Sequence, residues 1–136
     1  MSTKTKSIIT ISARVVLGLL YLVFGLNFFF HFIPNQPQPE GAAGAYIGGL
    51  FQAGYFFPLL KIIEVVAGAL LLTGFFVPLS IAVLAPISLH IFLFHIILAP
   101  AGAPMGILII LLNLFLAWAY RENFKPLFQN KAAISL

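Results

Sequence analysis

Residues 59–76 read LLKIIEVVAGALLLTGFF, and this stretch decides the class of fold. Lys61 and Glu64 are its only charged residues. An α-helix rises about 1.5 Å per residue, so a helix of this length approaches the roughly 30 Å of a bilayer's hydrocarbon core. The stretch therefore predicts a membrane-spanning helix, and it raises the question of why two ionisable groups lie inside one.

The composition of the whole chain supports a membrane protein. Of its 136 residues, 62% are hydrophobic and only 7% are charged, whereas about a quarter of the residues of a soluble domain are charged. The length suits one domain, so residues 1–136 are expected to form a single membrane domain. The absence of cysteine excludes disulfide frameworks and thiol chemistry. The net charge of +4 comes mostly from the two ends, which indicates topology rather than nucleic-acid binding.

Four apolar segments are predicted to cross the bilayer. They are residues 15–33, 55–77, 78–99 and 105–120. PNQPQPEG, at 34–41, must end the first helix because its closely spaced prolines cannot continue it. Residues 40–54 place aromatic and aliphatic side chains on one helical face, which predicts a short interfacial helix. The expected fold is all-α, an antiparallel four-transmembrane-helix bundle with that short helix between helices 1 and 2.

The basic residues predict the orientation of the bundle. They lie beside the first span and after the fourth: Lys4, Lys6, Arg14, Arg121, Lys125 and Lys131. The connections expected on the other side contain no Lys or Arg, so the positive-inside rule places both termini, with the tail 121–136, in the cytoplasm. Arg14 interrupts the early apolar run, which favours an uncleaved first helix over a signal peptide.

Seven polar residues inside the predicted spans form the candidate ligand-binding set. They are Asn27, His31, Lys61, Glu64, His90, His95 and Asn113. Counting about 1.5 Å per residue from the predicted boundaries places all of them in the outer half, with Glu64 roughly 10 Å and His90 roughly 13 Å deep. The inner half holds Arg14 near its edge and otherwise only hydroxyl groups, so the polar residues point to a pocket that opens outward.

Glu64 is the strongest single candidate. A carboxylate this deep in a membrane must be protonated, paired or facing a wet cavity. Lys61 shares its helical face and can either pair with Glu64 or extend its ammonium to the outer headgroups. Ala67 and Gly68 continue the face with small side chains, which favours close packing against another helix. Glu64 is therefore expected to have a functional or bundle-organising role.

The other candidates carry structural alternatives. Asn27 and His31 are four residues apart and share a face, while Asn27 and Asn113 also suit hydrogen bonds between helices. His31 and His95 are shallow enough to lie at the interface. On a regular α-helix His90 and His95 point about 140° apart, which is unfavourable for shared metal ligation. No metal is predicted, and a site on His31 and His95 is kept as an alternative.

Two longer stretches resemble a known family. ARVVLGLLYLVFGLN at 13–27, with Arg14 and Gly18, and KIIEVVAGALLLTGFFVPLS at 61–80, with Glu64, are similar to the DoxX-like family of small four-helix membrane proteins. The similarity extends from about Arg14 to AWAYRENFKPL at 117–127. It implies a four-helix bundle in the bacterial cytoplasmic membrane. Family roles range from a subunit of a thiosulfate:quinone oxidoreductase, through oxidative-stress complexes, to receptor-assembly chaperones.

Three functions remain open from the sequence. The first is binding of a lipophilic molecule such as a quinone. The protein would then be a membrane subunit of an oxidoreductase-associated complex, would have no intrinsic cofactor, and would receive its electrons from the partner. The second is a non-catalytic chaperone or accessory protein. The third is a proton-coupled carrier using Glu64 and the histidines, which the lack of an inverted repeat disfavours. The lipid bilayer is the expected partner, a homo-oligomer stays open, and nucleic acid is not expected.

Overall fold

The only regular secondary structure of the protein is helical, and it has no strands, in a computed structural model that describes residues 1–136. Its α-helices are α1 (Thr3–Phe30), α2 (Gly41–Gln52), α3 (Phe56–Thr73), α4 (Val77–Leu93) and α5 (Ala103–Ala119). Four segments are long and apolar enough to cross a membrane: Thr3–Phe30, Phe56–Thr73, Val77–Leu98 and Pro100–Ala119. The predicted all-α fold, with four such helices and a short helix between the first two, is confirmed.

The first helix differs from the predicted span 15–33 at both ends. It begins at Thr3, where the Ser2 side chain accepts a hydrogen bond from the Thr5 N–H at 3.1 Å and caps the helix. It ends at Phe30, because His31 adopts a left-handed backbone with φ 51° and closes the last turn. The expectation that His31 lies on a shared helical face with Asn27 is therefore wrong.

A tight turn joins α3 to α4. Gly74 caps the end of α3 with φ 82°, and Phe76 is the N-cap residue of α4 with φ 50°. A Cβ atom on Gly74 would lie 3.3 Å from the guanidinium of Arg14, so that side chain reaches the end of α3. A cation at a helix C-terminus meets the negative end of the helix dipole. Arg14 therefore ties α1 to this turn.

The closest helix packing is between α1 and α3. A Cβ atom on Gly68 would lie 2.8 Å from the Gly18 carbonyl oxygen, and one on Gly18 would lie 2.9 Å from the Gly68 carbonyl oxygen. Backbone atoms cannot move aside for a side chain at these distances, so both positions require glycine. The close packing predicted for the Ala67 and Gly68 side of α3 is thereby confirmed, and Ala67 itself is buried.

The buried core runs along the axis shared by α1, α3, α4 and α5. Its members are Leu17, Tyr21, Ala67, Leu71, Val77, Ile81, Leu84, Ile109 and Leu116. Large apolar side chains such as Ile62, Leu111 and Leu114 also cover the outside of the bundle. Lipid tails are as apolar as these side chains, so an apolar exterior carries no cost in a membrane.

The two ends of the bundle are formed by different connecting segments. We call the end that carries the 31–56 connection and residues 94–103 the α2 end. The opposite end, with the turn at 74–77 and residues 120–128 after α5, is the tail end.

Candidate functional site

A cavity of about 370 Å³ lies at the α2 end, between α2, α3 and α4. We call it the Glu64 cavity. Its walls are mostly aliphatic and aromatic, and its polar members are Tyr46, Lys61, Glu64, His90 and His95. Small-molecule sites usually have about 300–1,000 Å³ and combine apolar walls with a few placed polar groups. Four of the seven residues that the sequence singled out thus line one cavity.

Lys61 and Glu64 form an ion pair on the α3 wall. The Lys61 Nζ atom lies 2.8 Å from Glu64 Oε2, and the two side chains are 20% and 3% exposed. Their spacing of three residues brings the groups together on one face of the helix. Lys61 therefore directs its ammonium to Glu64 rather than to the headgroups, and Glu64 Oε1 receives no hydrogen bond from the protein.

The facing wall carries His90, which is bonded to a residue of α2. The Tyr46 hydroxyl lies 2.6 Å from His90 Nε2, and the two rings stack with centroids 5.7 Å apart. The Tyr46 ring also lies 6.0 Å from the ring of Phe94. These contacts join the short helix α2 to the end of α4 and form one side of the cavity.

Tyr46 is a site residue that sequence reasoning missed. The sequence placed it on the apolar face of a short helix, where an aromatic side chain needs no further explanation. Its partner His90 lies far away in the chain, so no local spacing links the two. The one signal in the sequence was the tyrosine hydroxyl itself, because such a hydroxyl usually forms a hydrogen bond when its ring is packed inside a protein.

His95 lines the same cavity as His90, although a regular α-helix would point them apart. It lies in a π-helical turn at Phe94–Leu98, which follows α4. A π-helical turn is wider than an α-helical one and often occurs at functional sites. The His95 ring lies against Gly102, where a Cβ atom would collide with it, and its Nδ1 atom is 3.3 Å from the Ala99 carbonyl oxygen.

A larger cavity of about 730 Å³ adjoins the Glu64 cavity on the side of the 37–40 loop. Lys61 and His95 line both cavities, and Glu40 lies in the wall of the larger one. The two cavities therefore share part of their lining.

The remaining three candidates lie outside the lining of the Glu64 cavity. Asn27 is buried, accepts a hydrogen bond from the Ile33 N–H at 2.7 Å and donates one to Gln36 Oε1 at 3.1 Å. It holds the connection after α1 and does not bridge two helices. His31 is exposed, and Asn113 is buried with its Nδ2 atom unpartnered.

A second polar contact lies deeper in the bundle and was also missed from the sequence. The Tyr21 hydroxyl and the Ser88 hydroxyl lie 2.6 Å apart, and both residues are buried. The contact joins α1 to α4. A buried tyrosine and a buried serine satisfy each other here, which makes the pair a structural link between helices.

No group of three or more His, Asp or Glu side chains is arranged to hold a metal ion. His31 is exposed beyond the end of α1, whereas His95 lines the Glu64 cavity. The alternative two-histidine site therefore has no third protein ligand.

The sequence model of one family, described as DoxX, matches residues 9–96, well over half of the chain. The matched region runs from α1 into the π-helical turn and includes every polar residue that lines the Glu64 cavity. Neither a curated protein nor a solved structure matches the chain significantly.

Proposed function

The chain belongs to the DoxX family, and from that premise we propose that the Glu64 cavity binds a lipophilic molecule with a polar ring, such as a quinone. The protein then serves as a membrane subunit associated with an oxidoreductase. One observation carries the proposal. An apolar cavity has an ion pair on one wall, Lys61 with Glu64, and a hydrogen-bonded pair on another, Tyr46 with His90.

The two polar walls suit a flat ring with oxygen atoms on opposite edges. Lys61 can donate a hydrogen bond to one oxygen, and His90 or Tyr46 can donate to the other. Phe57 and Phe94 line the cavity between the walls and can pack against the ring. The isoprenoid-like tail of such a ligand is accommodated by the aliphatic lining and the adjoining larger cavity.

Reduction of a quinone consumes two electrons and two protons. In our proposal the electrons come from a partner protein. Glu64 and His90 are the groups that can hold and release a proton inside the cavity, Glu64 at its unbonded Oε1 atom and His90 at a ring nitrogen. Lys61 positions the Glu64 carboxylate for this role.

Replacing the carboxylate tests the proposal. The full chain is purified in detergent, and a short-tailed ubiquinone analogue is added while the midpoint of thermal unfolding is measured. We expect the analogue to raise the midpoint of the wild type and to have a smaller effect on Glu64→Gln and on Tyr46→Phe. Both substitutions keep the shape of the side chain and remove a polar function.

The chain offers a matched control for this experiment. Glu122 also pairs with a lysine three residues away, at 2.8 Å, but both partners are exposed and lie at the tail end. Glu122→Gln should respond to the analogue like the wild type. A wild-type midpoint that the analogue leaves unchanged, or an equal response in Glu64→Gln, contradicts the proposal.

A second candidate function is that of an accessory protein that docks on a larger membrane protein without chemistry of its own. It is supported by the exposed aromatic residues of the α2 end, among them Phe30, Phe51 and Tyr55. A photoreactive amino acid in place of Phe51 should then crosslink one specific protein in native membranes, whereas the same group in place of Leu114 should not. Self-crosslinks alone would instead indicate a homo-oligomer.

A further inference from the structure

A separate cavity of about 430 Å³ lies at the tail end, and none of the candidate residues lines it. We call it the tail groove. One wall is formed by Ala82 and Ala85 of α4 and another by Ala117 of α5. These small side chains leave the space between the two helices unfilled. The segment after α5 covers its end, with Phe124 and Phe128 against it.

Two cationic side chains share the lining of this otherwise apolar groove. Arg121 and Lys125 both line it, and both follow the end of α5 at Ala119. Arg121 is held in place, because its Nη1 atom donates to the Trp118 carbonyl oxygen at 2.9 Å and its guanidinium lies 4.7 Å over the Trp118 ring. A tryptophan beside an arginine at a helix end is typical of the membrane–water interface.

One acidic residue lies near these cations. Glu122 pairs with Lys125 at 2.8 Å, and both side chains are exposed by more than two thirds. An exposed pair of this kind is weak and screened by solvent, so an incoming anion can displace the carboxylate. Arg121 has no acidic partner. The rim of the tail groove therefore keeps a net positive charge.

We propose that the tail groove binds an anionic phospholipid. One acyl chain lies along the alanine-lined space between α4 and α5, and the headgroup phosphate is bound by Arg121 and Lys125. The charge and the shape favour the same occupant, because the apolar groove suits a hydrocarbon chain and the two cations at its end suit a phosphate. This site lies at the opposite end of the bundle from the Glu64 cavity and does not depend on the function proposed there.

The experiment compares two lipids with identical acyl chains. The purified full chain in detergent is titrated with phosphatidylglycerol or with phosphatidylcholine, and binding is measured by native mass spectrometry together with the midpoint of thermal unfolding. We expect phosphatidylglycerol to bind more tightly and to raise the midpoint more. Removal of one cation near an anionic lipid should weaken its binding about fivefold.

Four variants locate the site. Arg121→Gln and Lys125→Gln should each weaken phosphatidylglycerol binding and leave phosphatidylcholine binding nearly unchanged. Lys131→Gln removes a positive charge from the same tail but outside the groove, and it should bind like the wild type. Ala85→Leu places a larger side chain in the groove and should weaken the binding of both lipids.

Three outcomes would overturn the proposal. Equal binding of the two lipids excludes recognition of the negative charge. Equal losses in Lys131→Gln and Lys125→Gln indicate general attraction to the charged tail rather than a site. Protection by inorganic phosphate alone, as strong as that by the lipid, excludes a role for the acyl chain. Should Arg121→Gln fold poorly for want of its contact with Trp118, Lys125→Gln still decides the question because its side chain is exposed.

Discussion

Glu64 shows what an ionisable residue requires inside a membrane bundle. Its carboxylate is almost completely buried and has one protein partner, the ammonium of Lys61. A buried ion pair gives little net stability over an apolar pair, but removal of one partner leaves an uncompensated charge. The pair is therefore better explained by what it offers to the cavity than by stabilisation of the fold.

This argument predicts a non-additive mutant cycle. Lys61→Met leaves the Glu64 carboxylate without a partner and should destabilise the bundle by about 3–5 kcal/mol. The double variant Lys61→Met/Glu64→Leu removes both charges and should recover most of that loss. Thermal or denaturant unfolding of the purified variants in one detergent measures the free energies. Additive losses in the double variant would mean that the two side chains act independently.

The hydrogen bonding of Asn113 and Asn27 predicts that replacement by Leu changes the stability in opposite directions at the two positions. Both are buried, but the Nδ2 atom of Asn113 has no partner whereas both polar atoms of the Asn27 amide are hydrogen-bonded. A buried donor without a partner costs about 1–3 kcal/mol. Asn113→Leu should therefore stabilise the protein by about that amount, and Asn27→Leu should destabilise it. The unfolding midpoints of the two variants, measured under the same conditions, test this prediction. A loss of stability in Asn113→Leu would contradict it and would indicate that the Asn113 amide has a partner such as a buried water.

At the scale of helices, the contact between α1 and α3 depends on two glycines. Gly68→Ala would bring its Cβ within 2.8 Å of the α1 backbone, and we expect it to destabilise the bundle by about 1–3 kcal/mol through overpacking. Gly48→Ala is the matched control, because a Cβ there meets nothing within 4 Å and alanine favours a helix over glycine. Unfolding measurements should give opposite signs for the two variants. Equal effects would mean that the helices can separate to admit a methyl group.

The helices themselves could be predicted from the sequence because apolar runs and prolines are local signals. The end of α1 could not, since nothing in the stretch before Pro34 requires the left-handed backbone of His31. The π-helical turn at Phe94–Leu98 could not either, because a wide turn has no spacing pattern of its own. His95, which lines the Glu64 cavity together with His90, lies in this turn.

The candidate site was predictable only in part for a related reason. Glu64 and Lys61 were found because charge is conspicuous in an apolar helix, and their spacing allowed the contact that the structure shows. Tyr46 was not found, because its contact with His90 joins α2 to α4 and depends on how two helices far apart in sequence pack. Asn27 was expected to bind a ligand or to form a hydrogen bond between helices, but its amide bonds Ile33 and Gln36 in the loop after α1.

At the scale of the whole molecule, the two ends of the bundle carry different chemistry. The α2 end holds the Glu64 cavity, and the tail end holds the tail groove with Arg121 and Lys125. At about 1.5 Å per residue, the 28 residues of α1 reach about 42 Å, well beyond the roughly 30 Å of a hydrocarbon core. Lys4 and Lys6 lie on the exposed first turns of this helix. The excess length therefore allows both lysines to reach water at the tail end.

This charge distribution predicts a topology that can be measured directly. Basic residues favour the cytoplasmic side, so the tail end should face the cytoplasm and the Glu64 cavity should open toward the outside. The chain has no cysteine, so a single cysteine can be introduced without removing others. In intact cells a membrane-impermeant maleimide should label Gln52→Cys at the α2 end and should spare Ser135→Cys in the tail. Both positions are exposed, and both variants should be labelled once the membrane is permeabilised, which controls for reactivity. Labelling of Ser135→Cys in intact cells would reverse the orientation and would open the Glu64 cavity to the cytoplasm.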